Sequence, residues 1–100
     1  MHVISKKALE AFWLKHPASA SPLDAWYRVV SKSDFETFME LKNAFNTADY
    51  VAPYTVFDVG GNNFRVITAI HYNRQTLFIR EVFTHAEYDR WSKFYRSGKA

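Results

Sequence analysis

Residues 62–89 read NNFRVITAIHYNRQTLFIREVFTHAEYD, two arms dense in β-branched and aromatic residues followed by a helix start. Residues 63–71 and 75–84 flank the polar bend Asn73-Arg74, which predicts a β-hairpin. Alternate strand residues point to opposite faces, so Phe64, Val66, Ile70 and Tyr72 share one side of the first arm, and Arg65, Ile67, Ala69 and His71 the other. On the second arm Leu77, Ile79 and Phe83 form the apolar set, and Phe78, Arg80, Val82 and Thr84 the mixed one. With Asn73-Arg74 as a two-residue loop, Ile70 faces Leu77, and Arg80 stands opposite Ile67 and diagonal to Arg65. Arg65, His71 and Arg80 then share the face away from the core. Glu81 falls awkwardly on the apolar side, and a one-residue change in loop length would flip one arm and part the arginines.

The second arm runs into Thr84-His85-Ala86-Glu87, a Thr-x-x-Glu capping box that opens a final helix. His85, Tyr88 and Asp89, spaced i, i+3, i+4, share one helical face beside the end of the strand that carries Arg80. Arginines, histidine and tyrosine are thereby expected to meet at one sheet edge.

The chain of 100 residues reads as a single domain, residues 1–100, and its 48% hydrophobic and 18% aromatic content suffices for a core without staples. Without cysteine there is no disulfide and no thiolate metal site. No long apolar run follows the first residues, which predicts neither a signal peptide nor a membrane helix and favours a cytoplasmic protein. The net charge of +3 is unevenly placed: residues 1–50 carry six Lys/Arg and six Asp/Glu, whereas residues 51–100 carry seven and four. A basic half with interleaved aromatic residues suits a polyanion such as RNA, and on charge alone an acidic protein partner fits equally well.

Along the rest of the chain, Val3-Ile4 is expected as a short edge strand, and Ser5 as the cap of a helix with Leu9, Phe12, Trp13 and His16 in register, stopped by Pro17. Lys6 and Lys7 in its first turn are candidates for phosphate contact, the alternative being two solvated lysines. Ser21-Pro22-Leu23-Asp24 predicts a second helix with a Leu23, Trp26, Tyr27, Val30 stripe, and Ser33-Asp34-Phe35-Glu36 a third with Phe35, Phe38, Met39 and Phe45. Residues 48–54 are expected as a loop, residues 55–59 as a strand, and Gly60-Gly61-Asn62-Asn63 as a turn. Tyr88, Trp91 and Tyr95 line one side of the last helix, before a basic tail at residues 96–100 that is expected to be disordered. The sum is an α+β fold, an antiparallel sheet of about four strands with helices packed on one face.

His2, His16, His71 and His85 lack the spacing of a metal site, and neither a Gly-x-Ser-x-Gly elbow nor a phosphate-binding glycine loop occurs, so no metal and no cofactor are expected. Cleavage of an RNA phosphodiester needs less machinery, since the substrate brings its own nucleophile, the 2′-hydroxyl. Arg65 and Arg80 offer forks for phosphate oxygens, His85 a proton-transfer group, and Tyr88 a second such group or a base-stacking surface. His71 and Arg74 are further candidates for RNA contact.

The runs Val56-Phe57-Asp58-Val59-Gly60-Gly61-Asn62-Asn63-Phe64-Arg65-Val66-Ile67, Ile70-His71-Tyr72-Asn73, Phe78-Ile79-Arg80 and Thr84-His85-Ala86-Glu87-Tyr88-Asp89 resemble the HigB toxins of bacterial type II toxin–antitoxin systems. Val3-Ile4-Ser5 and Pro22-Leu23-Asp24-Ala25-Trp26-Tyr27 are similar to that family too. The resemblance implies the RelE-like fold, with helices on one sheet face and RNA on the other. It implies an endoribonuclease without metal or cofactor that cuts mRNA on the ribosome and is silenced by a cognate HigA antitoxin with a helix-turn-helix. Arg65 and Arg80 match the phosphate-binding arginines, His85 and Tyr88 the C-terminal catalytic pair, and His71 a family position of unstated role. Phe64 stands where many relatives have tyrosine. Alternatives from other classes are a non-enzymatic toxin on the same scaffold, like the ParE-type gyrase inhibitors, and a plain RNA-binding module.

Overall fold

In a computed structural model, which describes residues 1–96 and 98, the hairpin of residues 62–89 is the centre of a five-stranded sheet. The strands are β1 (His2–Ile4), β2 (Asp49–Val51), β3 (Tyr54–Val59), β4 (Phe64–His71) and β5 (Thr76–Thr84), in spatial order β1-β5-β4-β3-β2. Four helices accompany them: α1 (Lys6–Lys15), α2 (Ala20–Ser31), α3 (Phe38–Ala44) and α4 (His85–Arg96). The expected antiparallel sheet is present in β2 to β5, and β1 adds a fifth strand, parallel to β5. Residues 49–51, expected as loop, form β2 because an Ala52-Pro53 turn folds them back on Tyr54 to Val56.

The hairpin register starts as the sequence predicts, with Ile70 opposite Leu77, although the ladder closes at His71 and Thr76 and residues Tyr72–Arg74 form a 3-10 turn. Gln75 completes that turn at φ 50°, in the left-handed region. Past Thr68 and Ile79 a β-bulge inserts Arg80, so Ile67 faces Glu81 and Arg65 faces Phe83. The expected pairing of Arg80 with Ile67 is therefore corrected. The extra residue turns Glu81 away from the helix-covered core, where an unpaired carboxylate would be costly, and puts Val82 there instead. Phe83 moves to the opposite face, against Ile67 and Trp91.

One face of the sheet holds the main core. Leu9 of α1, Leu23, Trp26 and Val30 of α2 and Leu41 of α3 pack on Phe57, Val59, Val66 and Leu77. The second helix begins at Ala20 after a 3-10 turn at Pro17–Ser19, earlier than the Ser21 cap predicted, and Pro22 sits in its first turn, where no intrahelical N–H bond is lost. The Ser33 cap is also corrected: its hydroxyl donates to the Val29 carbonyl at 2.6 Å and closes α2. Thr37 caps α3 instead, accepting from the Glu40 N–H at 3.2 Å.

The expectation of helices on one face holds for α1 to α3, whereas α4 lies on the other. There Tyr88, Trp91 and Tyr95 cover Val51, Val56 and Ile67, and the Tyr95 hydroxyl donates to the Ala52 carbonyl. The side expected to face away from the core thus holds a smaller apolar cluster with an aromatic cover of its own. The basic tail at 96–100 lies, for Ser97, Lys99 and Ala100, outside the described residues.

Candidate active site

The turn that joins β3 to β4 sets the site. Gly60 and Gly61, at φ 66° and 67°, supply the left-handed backbone that reverses the chain in four residues. Val59 then faces Phe64, and Asp58 faces Arg65. Directly opposed residues share a face, so the carboxylate and the guanidinium meet, with Arg65 Nε 3.0 Å from Asp58 Oδ1. The same turn presents Asn62 and Asn63 to the start of α4, where the His85 N–H donates to the Asn63 carbonyl at 2.9 Å.

The capping box at that start forms both of its bonds. Glu87 accepts from the Thr84 N–H at 2.8 Å, and Thr84 Oγ1 from the Glu87 N–H at 3.3 Å. With β5 ending at Thr84 opposite Phe64, the helix begins two residues past Phe83, the partner of Arg65, and brings His85 and Tyr88 against Arg65. Arg65 Nη2 lies 3.2 Å from His85 Nδ1, and its guanidinium 5.4 Å from the centre of the Tyr88 ring. Tyr88 in turn stacks on Trp91.

The Arg65 side chain is only 7% exposed, and all five of its N–H groups have acceptors. Nε donates to Asp58. Nη1 donates to the Asn62 and Phe64 carbonyls, both at 3.1 Å, and Nη2 to Asn62 Oδ1 at 2.6 Å and to His85. Since arginine is only a donor, His85 Nδ1 must be the acceptor, which assigns the ring proton of the neutral imidazole to Nε2. That nitrogen is 3.2 Å from Asp89 Oδ2. Imidazole and carboxylate are 48% and 55% exposed, so the pair is open to a substrate while the arginine beneath it is sealed.

Arg65, His85 and Tyr88 are thus brought together as predicted, and Arg80 is not. Arg80 sits at the bulge, about 10 Å along the sheet from the Arg65 row at 3.3 Å per residue. Arg80 is exposed, with its guanidinium over the Phe78 ring at 5.5 Å, and His71 meets that ring edge-on at 5.5 Å. His71 and Arg74 are at the far end of the hairpin, about 20 Å from Arg65 by the same rise per residue, and both are exposed. Lys6 is tied to α2 by Asp24 at 3.8 Å and the Tyr27 ring at 5.1 Å, whereas Lys7 is exposed. Burial, opposed in part by Thr55, raises the Tyr72 phenol above its ordinary range, on the helix-covered face away from this cluster. Among the described residues no group of three or more His, Cys, Asp or Glu is placed to hold a metal ion.

Sequence reasoning overlooked Asp58 and Asn62. A signal was present: a four-residue turn at 60–63 puts Asp58 opposite Arg65 by simple counting along an antiparallel ladder.

A sheet with three helices on one face, and on the other a polar cluster where its central hairpin meets the last helix, is the architecture of a small RelE-like toxin. Residues 19–91 match the model of the HigB_toxin family, the RelE-like toxic component of a toxin-antitoxin system. The mRNA interferase HigB of Escherichia coli O6:H1 strain CFT073 is 40% identical over 102 residues, covering 99% of both chains. The mRNA interferase toxin HigB of Escherichia coli K12 is 36% identical over 100 residues, covering 97% of this chain and 96% of its own, and the mRNA interferase HigB of Shigella flexneri matches to the same extent. The chain belongs to the HigB toxin family. Membership implies an antitoxin as partner. No helix among the described residues is long and apolar enough to cross a membrane.

Proposed function

We propose that this toxin is an endoribonuclease that cuts mRNA on the ribosome, without a metal ion, using the RNA 2′-hydroxyl as nucleophile. The observation that carries it is the exposed His85 Nε2 beside Asp89, directly above a buried arginine at the rim of a basic and aromatic sheet face. Relatives that align over nearly the whole chain are named mRNA interferases, which supports cleavage over gyrase inhibition or simple RNA binding.

In the reaction the 2′-oxygen bonds to the adjacent phosphorus, the bond from phosphorus to the 5′-oxygen breaks, and a proton passes from the first oxygen to the second through the protein. With Nδ1 occupied by the Arg65 donor, the neutral His85 ring offers an Nε2–H and no free lone pair. Asp89 is therefore the carboxylate placed to take the 2′-hydroxyl proton and return it to the 5′-oxygen, while the Nε2–H donates to Asp89 or to the reacting phosphate. Tyr88 is the second proton-transfer group or a stacking surface. Arg80, exposed beside Phe78 and His71, takes a backbone phosphate, and Lys7 and Arg74 are further points along the strand's path. Lys6 contributes less because Asp24 already partners it. The cytoplasm is the compartment of such a reaction, and a HigA-type helix-turn-helix protein is the antitoxin.

Primer extension on a defined mRNA during in vitro translation tests the proposal. Discrete cuts that require ribosomes and persist in excess chelator are expected, and stable mRNA under translation arrest would overturn it. For Arg80→Ala, weaker binding of a non-cleavable RNA and a salt dependence flatter by about one unit of slope are expected by filter binding across salt concentrations. An unchanged slope would remove Arg80 from the phosphate path.

A further inference from the structure

The Arg65 guanidinium is nearly sealed from solvent, and its five N–H groups are consumed within the protein, so it has no fork to offer a phosphate unless it first breaks its own contacts. Its contacts are directional. Asp58 Oδ1 holds Nε from the neighbouring strand, and Asn62 holds Nη1 and Nη2 from the turn, through a backbone and a side-chain oxygen. The remaining Nη2 hydrogen is thereby left aimed at His85 Nδ1. A planar guanidinium pinned at two places cannot swing, so the imidazole above it inherits a fixed rotation and a fixed proton position.

We propose that Asp58, with Asn62, is a positioning residue, which by pinning Arg65 fixes the orientation of His85 and directs the Nε2 hydrogen to Asp89. Arg65 is on this account a positioning residue as well. The account rests on His85 being catalytic, as argued above, but the geometry it invokes exists without RNA. The device is the reverse of a metal-bound or triad histidine: there the second nitrogen donates and the first keeps its lone pair, whereas an arginine donor at Nδ1 leaves Nε2 as a fixed N–H donor. Exposure of His85 makes the pinning necessary. A half-exposed imidazole at a helix N-terminus would otherwise sample several rotamers, and misplacement by about 1 Å costs on the order of 100-fold in rate.

Nitrogen-15 spectra of the His85 ring, recorded on the free toxin without RNA, test this directly. In the wild type one protonated and one unprotonated ring nitrogen are expected as separate signals, with Nδ1 displaced by its hydrogen bond. In Asp58→Ala the displacement is expected to vanish and the two signals to draw together as the ring exchanges. Asp58→Glu should restore the separation, and Asn62→Ala, a change at an exposed turn residue, should weaken it even if Asp58→Ala folds poorly. In the translation assay Asp58→Ala is expected to lower kcat about tenfold with KM within twofold, and Asp58→Glu to recover most of it. Ring signals that stay unchanged in folded Asp58→Ala and Asn62→Ala would overturn the proposal. If the wild type cuts no RNA while the ring signals behave as described, the pinning stands and the enzymatic role fails.

Discussion

Replacing His85 with alanine is expected to lower mRNA cleavage by about 100-fold or more, the contribution of a positioned hydrogen-bond donor at the reacting phosphate and beside Asp89, while leaving the fold in place. The fold is spared because His85 occupies the first position of α4, with its side chain half in solvent. The bond from its backbone N–H to Asn63 does not need the side chain, and neither does the Thr84–Glu87 capping box. Water can take the Arg65 Nη2 hydrogen that the imidazole gives up. Cleaved fraction by primer extension during in vitro translation, compared with the melting temperature of the two proteins, measures both effects. Cleavage at the wild-type rate in a folded variant would move that role to Tyr88 or His71.

Phe57→Ala is expected to destabilise the chain by about 3–5 kcal/mol, a large share of the roughly 5–15 kcal/mol that a domain of this kind possesses. Phe57 is 1% exposed in the middle of β3, on the helix-covered face. Its ring meets Trp26 and Phe45 edge-to-face, at 5.2 Å in each case. Truncation removes a ring from beneath α2 and beside the end of α3, and neither helix can collapse into the gap without disturbing the packing of its own Leu23 or Leu41 in the core. The urea midpoint reads the loss, at an unchanged slope if unfolding stays cooperative. A cost under about 1 kcal/mol would mean that the core between sheet and helices is not closed at this point.

Much of this protein could be read from local pattern. The hairpin arms, the Ile70 and Leu77 pairing, the helical stripes of Leu9, Leu23, Trp26 and Val30, and the Thr84–Glu87 box depend on neighbours no more than seven residues apart, and short-range spacing describes them well. The meeting of Arg65, His85 and Tyr88 followed from the same rules, since a strand, a cap and a helix in immediate succession leave little freedom. Where two local signals competed, pattern failed. Ser33 and Thr37 both precede a glutamate by three residues, and only the closure of α2 by Ser33 decided that Thr37 would cap α3.

Composition and periodicity by themselves determined an α+β domain, its basic half and the residues from which a proton-transfer site can be built. Three further matters were decided by the tertiary structure alone. The bulge at Arg80 exists because a whole sheet had to keep Glu81 out of the helix-covered core. The placement of α4 opposite the other helices depends on Val51, Val56 and Ile67 forming a second apolar surface from three different strands. Lastly, Arg65 lies buried with its fork occupied, because Asp58 from the next strand, Asn62 from the turn and His85 from the helix take up its donors together. Each outcome turns on groups far apart in sequence competing for one place, and only the packed chain resolves that competition.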